Sequence, residues 1–229
     1  MKEFHYPVFL DVRGRECLIV GGGDVAYGKV MGLLPCGARI RVVSPEVHSG
    51  IARLAQGGKI TWERRRYRSG DIGGAFLAIA ATDDTALNNL VYDEAVEARA
   101  LCNVVDVPER CQFIAAAIVR RGPIVAAIST SGSSPAFAAR LKRDLGRVWG
   151  PEYGQVALAF GRLRQVVKER IAGVDRRKRF WLQLVKGDEP LELARGGARP
   201  GELDAYLRTR VERWVAEDVA ASGEGRLSS

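Results

Sequence analysis

Histidine is scarce in this chain: there are two in 229 residues, His5 and His48, far apart in sequence. A histidine-built zinc or iron centre draws several ligands together, so none is expected and no metal ligand is assigned. The four cysteines, Cys17, Cys36, Cys102 and Cys111, include no C-x-x-C pair. That argues against a thiolate metal site and against a disulfide framework. Long apolar runs are missing too. The longest, Ala75–Ala81 and Phe113–Val119, have seven residues each, against the roughly 20 of a membrane-spanning helix, so no membrane partner is expected. Met1–Asp11 carries charge and a proline but no apolar signal core, and the expected location is cytoplasmic. There are no internal repeats or low-complexity tracts.

What is present is balanced. Hydrophobic residues make up 47% and charged residues 27%, near the averages of globular proteins, and the length suits one good core with a modest extension. Chemistry therefore falls to carboxylates, hydroxyls, backbone groups or a bound organic cofactor. The net charge of +8 is unevenly placed: Phe160–Lys186 holds nine Lys and Arg against Glu169 and Asp175, leaving the rest of the chain near neutral. Arg64, Arg65, Arg66 and Arg68 form a second basic knot. Such patches either attract a polyanion, nucleic acid or a small polycarboxylate, or are a solvated helix face. The expectation is a small-molecule partner, no nucleic acid, and poor DNA affinity at physiological salt.

The first hundred residues alternate short apolar runs with helical patterns. Glu16–Val20, Arg39–Val43, Ile60–Glu63, Ala75–Ala81 and Leu101–Val105 read as strands, with helices over Asp24–Pro35, Glu46–Gln56 and from a Thr82/Asp83 cap to Arg99. The all-apolar Ala75–Ala81 is of the kind buried on both faces of a parallel sheet. This rhythm predicts an α/β fold, a Rossmann-like doubly wound parallel sheet. After Asp106 the pattern changes. Phe113–Val119 and Ile124–Ser129 read as a hairpin through residues 120–123, followed by a helix to Val148 capped by Ser134 with Pro135 in its first turn. Beyond it only helices are expected, over Tyr153–Ile171, Asp175–Lys186 and Pro200–Val219, with Ser222–Ser229 frayed. Three parts follow: residues 1–112, a small αβ segment over 113–149, and an all-helical region over 150–229.

Gly21-Gly22-Gly23-Asp24-Val25-Ala26 fits G-x-G-x-x-A between a strand and a helix. Gly21 suits the tight turn, Gly23 lets a diphosphate approach the helix N-terminus, and Ala26 lets helix pack on strand. The alternative is a tight turn that binds nothing. At the end of the second strand, where an acid commonly meets the ribose, stands Ser44, with Pro45 and Glu46 after it. Either Glu46 reaches the ribose or the Ser44–Pro45 backbone lines the adenosine side. No arginine directly follows that strand to hold a 2′-phosphate, which favours NAD over NADP. Thr82 and Asp83 end a buried strand at the ligand-binding edge, as cofactor contacts, helix caps or both.

Asn103-Val104-Val105-Asp106 sets a carboxylate at another strand end, beside the expected nicotinamide position. Asp106 is a candidate general acid/base or a plain turn residue. Ser129, Thr130, Ser131, Gly132, Ser133 and Ser134 offer hydroxyls and free N–H groups at a helix start, either an anion cradle for substrate or a capping loop.

Together these segments resemble the precorrin-2 dehydrogenase/sirohydrochlorin ferrochelatase family, which is also the N-terminal module of siroheme synthase. The resemblance is carried by Cys17–Ala26 with Lys29, Leu77–Asp84, Cys102–Asp106, Gln112–Phe113 and Ile128–Pro135, in order and spacing over roughly residues 4–145. It implies NAD-linked oxidation of precorrin-2 to sirohydrochlorin, in some members Fe²⁺ insertion, and a homodimer interlocked through the middle segment. It also implies Asp106 as the catalytic residue and nucleotide contacts at Asp24, Val25, Pro45 and Glu46. Gly28 departs from the usual arginine before the lysine, and Thr130 from the usual serine. At this length no fused methyltransferase half is expected. Two alternatives stay open: a non-catalytic NAD-binding sensor, and a chelatase without redox activity.

Overall fold

The computed structural model describes residues 5–224. Strands β1 (Glu16–Val20), β2 (Arg39–Val43), β3 (Thr61–Glu63), β4 (Leu77–Ala80) and β5 (Leu101–Val104) form one sheet in the order β3-β2-β1-β4-β5. Every pairing in it is parallel. The chain steps outward from β1 to β3, then returns to β4 on the other side of β1. The order thus reverses between β1 and β4, where open α/β sheets form their ligand crevice.

The alternation of side chains along a strand explains why β4 is apolar without a break and why the central strands carry apolar residues on both faces. Leu18, Val20, Ala78, Ala80, Cys102 and Val104 face a core with Val91 and Ala95 of helix α3 (Thr85–Glu97). Cys17, Ile19, Ile40, Val42, Leu77 and Ile79 face the other, with Ala26 and Val30 of α1 (Asp24–Leu33) and Ile51 of α2 (Ser49–Gln56). The sheet is therefore covered on both sides, as the strand–helix rhythm predicts.

Several boundaries differ from expectation. Helix α1 gives way to a 3-10 turn at Leu34–Cys36, where Pro35 removes a backbone donor. Helix α2 begins at Ser49, because Pro45–Val47 packs as a loop against Gly22 and His48 is the cap. The cap of α3 is Asp84, which accepts from the Leu87 N–H at 3.0 Å, not Thr82 or Asp83. The Thr82 hydroxyl instead bonds the Asn88 side chain at 2.7 Å.

The chain divides into two compact units: one up to Ala115 with Ser131–Ser133, the other Ala116–Thr130 and Ser134 onward. The segment expected as a separate part over 113–149 is thus shared between them. Its hairpin, β6 (Ala117–Arg121) and β7 (Ile124–Ile128), is antiparallel. Residues 113–116 lie outside β6, since the Asn103 side chain donates to the Phe113 carbonyl at 2.9 Å and holds this stretch beside β5. Arg121 donates to the carbonyls of Gly146 and Trp149 at the end of helix α4 (Pro135–Val148), a cation at the negative helix end. A Cβ on Gly154 would lie 2.8 Å from the Arg121 backbone, so glycine permits the hairpin turn to meet α5 (Pro151–Arg170).

The remaining helices are α6 (Val174–Leu184), α7 (Glu189–Arg195) and α8 (Pro200–Glu224). Helix α7 is absent from the sequence reading, and α8 extends past Val219 into the tail read as frayed, whose last five residues lie outside the described chain. Val156, Ala159, Leu163 and Val167 of α5 meet Leu203, Leu207, Val211 and Trp214 of α8 along three- and four-residue stripes, with Phe180 and Leu184 between. Arg162 and Arg170 of α5 pair with Asp204 and Glu212 of α8. The pairs advance together along both helices, so the helices run parallel. Among the described residues no helix is long and apolar enough to cross a membrane.

Candidate active site

Val20 ends β1 and Gly21 turns the chain with φ +115°, a region only glycine adopts without strain. A Cβ at Gly21 would sit 2.1 Å from the Ala81 carbonyl oxygen, and one at Gly22 2.0 Å from that of Glu46. These two glycines let the turn lie between the ends of β4 and β2. The turn is held by the Gly21 N–H bond to Val43 O and by the His48 N–H bond to Gly22 O at 2.7 Å. At Gly23 a Cβ would meet nothing within 4 Å, and no side chain caps α1. The bare helix start faces open space. Its unpaired N–H groups and helix dipole favour an anion there.

That space is a cleft of about 760 Å³. It is lined by Gly21, Gly22, Gly23, Asp24 and Val25 of the turn and α1, by Ser44, Pro45 and Glu46 after β2, by Thr82 and Asp83 after β4, and by Arg66 and Tyr67 after β3. The sequence-selected cofactor residues therefore converge on one cavity at the switch point. Ser44 differs in role from a ribose ligand. It is buried, its hydroxyl donates to the Glu46 carbonyl at 2.6 Å, and its own carbonyl accepts from Trp62 Nε1 at 2.9 Å. The exposed residues at this edge are Pro45 and Glu46.

Two side chains here escaped the sequence reading. His48 Nδ1 accepts from the Gly50 N–H at 2.9 Å, which leaves the ring proton on Nε2, 3.7 Å from Asp24 Oδ1. Its ring stacks on Tyr27 with centroids 4.3 Å apart. Arg66 reaches the cleft because β3 pairs beside β2, Val43 opposite Glu63. The only sequence signal was the arginine run itself. Arg65 is engaged by Asp71 and Glu63, and Arg64 lies over the Trp62 ring.

Asp106 follows β5 with φ +61°, in the left-handed region where Asp and Asn are the commonest side-chain-bearing residues. The Val107 N–H closes the turn on the Val104 carbonyl. The Asp106 carboxylate is exposed and does not line the cleft. Burial holds the Lys29 ammonium of α1 below its ordinary pKa, opposed by the negative potential of Cys111 and Asp106. Burial pushes the Cys102 thiol up to about 12 and Cys17 to about 11, so both stay protonated and unreactive.

The loop from Ser129 to Ser134 joins β7 to α4. Ser131 and Gly132 take successive left-handed conformations, at φ +49° and +78°. The Thr130 hydroxyl bonds both the N–H and the carbonyl of Ser134, and the Ser134 hydroxyl accepts from the Phe137 N–H as the cap of α4. Thr130 and Ser134 thus build the loop, and none of its residues lines the dinucleotide cleft. Of the cations in Phe160–Lys186, Arg162, Arg170, Arg176 and Arg179 are paired with acids of α8. Much of that basic stretch is a set of helix-to-helix contacts. Among the described residues no group of three or more His, Cys, Asp or Glu is placed to hold a metal ion.

A parallel sheet with a glycine turn opening into a cleft at its switch point, and an uncapped helix start facing it, defines a dinucleotide-binding protein of the Rossmann class. The comparisons narrow this. An NAD(P)-binding family model matches residues 8–117, the sirohaem biosynthesis protein central region matches 116–147, and the sirohaem synthase dimerisation region matches 152–202. The chain is 39% identical over 205 residues to siroheme synthase of Nitrosococcus oceani, covering 89% of this chain and 44% of that protein. It is 37% identical over 220 residues to siroheme synthase 1 of Serratia proteamaculans, covering 96% and 46%. The structure of SirC, precorrin-2 dehydrogenase, superposes with a TM-score of 0.74 at 28% identity, over 91% of this chain and 100% of that one. The chain thus joins an NAD(P)-binding domain to matches for the central and dimerisation regions of sirohaem-synthesis proteins, and it spans a little under half the length of the curated relatives it matches. The match described as dimerising falls on α5–α7 and the start of α8, and the central match falls on the hairpin and α4.

Proposed function

We propose that this chain oxidises precorrin-2 to sirohydrochlorin with NAD⁺, as a homodimer in the cytoplasm. The observation that carries the reading is the open face of Gly23 at the uncapped start of α1, in the same unit as the exposed strand-end carboxylate of Asp106. When bound, NAD⁺ supplies the hydride acceptor.

The chain's own residues do the rest. The backbone N–H groups from Gly23 to Val25 would hold the diphosphate, Pro45 and Glu46 would meet the adenosine ribose, and Thr82 and Asp83 would contact the cofactor from the end of β4. Asp106 would accept the proton that the substrate loses in the oxidation and pass it on to solvent. The Ser129–Ser134 loop, with successive left-handed residues at Ser131 and Gly132, receives substrate carboxylates. In Fe²⁺ insertion, the second activity in the family resemblance, with iron as substrate, the Asp106 carboxylate would take the pyrrole N–H protons.

The test is to mix protein, NAD⁺ and precorrin-2 and follow NADH absorbance. Stoichiometric NADH and sirohydrochlorin are expected. Intact NAD⁺ binding without turnover would replace the enzyme reading with that of a nucleotide sensor.

A further inference from the structure

We propose that Arg66 is a 2′-phosphate-binding residue, so that the cleft takes NADP⁺ as well as NAD⁺. The inference rests on the dinucleotide reading of the cleft and adds a specificity residue to it. Among the described residues Arg66 is the one lysine or arginine lining a cavity whose other charged lining residues are Asp24, Glu46, Asp83 and Asp84. Its guanidinium is exposed and has no hydrogen-bond or ion-pair partner among the described residues, while neighbouring Arg65 is locked to Asp71 through two bonds of 2.7 and 2.8 Å. Asp71 also accepts from the Arg68 N–H at 2.7 Å, and its carbonyl accepts from Arg41. The loop that presents Arg66 is thereby tied down on both sides, which spares an incoming ligand the cost of ordering it.

Its place in the sheet selects the group it meets. The diphosphate belongs at the start of α1, beyond β1. Arg66 follows β3, two strands away, and strands lie about 4.8 Å apart. It stands instead next to the end of β2, where the adenosine ribose of a dinucleotide lies. The Ser44 N–H bond to Glu63 O and the Trp62 bond to Ser44 O fasten these two strand ends together. An acid at the end of β2 would repel a 2′-phosphate. Here that position is Ser44, neutral and turned inward. Glu46 remains as an exposed acceptor for the free ribose hydroxyls of NAD⁺. A planar guanidinium with all its donors available is well matched to a phosphate dianion.

The experiment is calorimetric titration of the full chain with NAD⁺ and NADP⁺, for the wild type, Arg66→Ala, Arg66→Lys and Arg68→Ala. NADP⁺ is expected to bind the wild type, and Arg66→Ala to weaken it roughly ten- to hundred-fold while NAD⁺ changes less than about three-fold. Arg66→Lys should retain part of the affinity that Arg66→Ala loses, and Arg68→Ala, which removes an equal charge outside the cleft, should cost little. Wild type that binds NAD⁺ but not NADP⁺, or an Arg66→Ala variant that loses both nucleotides equally, would overturn the assignment and leave the cleft a dinucleotide site. Failure of both nucleotides to bind the wild type would overturn the two together.

Discussion

The two units bury apolar surface in different ways, and the difference separates chemistry from support. In the sheet unit, alternate residues of each strand feed two cores, so the strands have no free face and their chemistry is displaced to the strand ends. Gly21, Ser44, Arg66, Thr82 and Asp106 all follow strand ends on one edge. In the helical unit each helix buries one stripe and leaves the opposite face charged, and those charges pair from α5 and α6 to α8. A charge after a strand is a candidate reactant. On those helices Arg162, Arg170, Arg176 and Arg179 are cross-helix contacts instead.

The most demanding test of this division is at Asp106. Asp106→Asn keeps a residue that tolerates the left-handed turn, so folding and NAD⁺ affinity should persist while turnover falls by ~10²–10⁴-fold. Unchanged turnover would remove the carboxylate from the reaction. Next in size is Phe180→Ala in the helical core, where the ring is 2% exposed and meets Trp181 and Trp214 edge-on. A loss of ~3–5 kcal/mol in denaturant unfolding is expected, with NAD⁺ affinity unaltered. Equal damage to nucleotide binding would erase the distinction between the units.

Two adjacent glycines sharpen the comparison inside the sheet unit. Gly22→Ala drives a methyl into the Glu46 carbonyl and should destabilise the fold. Gly23 has φ −74° and open space around it, so Gly23→Ala should unfold like the wild type yet bind NAD⁺ at least about ten-fold more weakly. Equal stability losses in the two variants would show the open face to be misassigned. The smallest effect is expected at Arg162→Ala, whose pair with Asp204 is largely solvent-exposed. It should cost less than ~1 kcal/mol, fading further in high salt.

The sheet was legible because its evidence is local. Glu16–Val20 is a mostly apolar run and Arg39–Val43 a polar/apolar alternation, each bounded by turn residues, and both strands have those limits in the structure. The glycine turn and the Asp106 strand end were legible for the same reason. What stayed hidden needed partners distant in sequence. Arg66 becomes a cleft residue only once β3 lies beside β2. His48 becomes a brace for Gly22 only when the loop after β2 folds back, which also delays α2 from Glu46 to Ser49. Helix α7 is seven residues long, too short for a stripe to declare itself, and it is held by Pro190 and Ala194 against the helical core. The arginines of Phe160–Lys186 looked like one basic patch because their acids lie some forty residues on, in α8.

Calorimetric titration of NAD⁺ into the wild-type chain tests the account at its root. Saturable binding at one site per chain is the predicted result, and a heat trace that shows no saturation would contradict it.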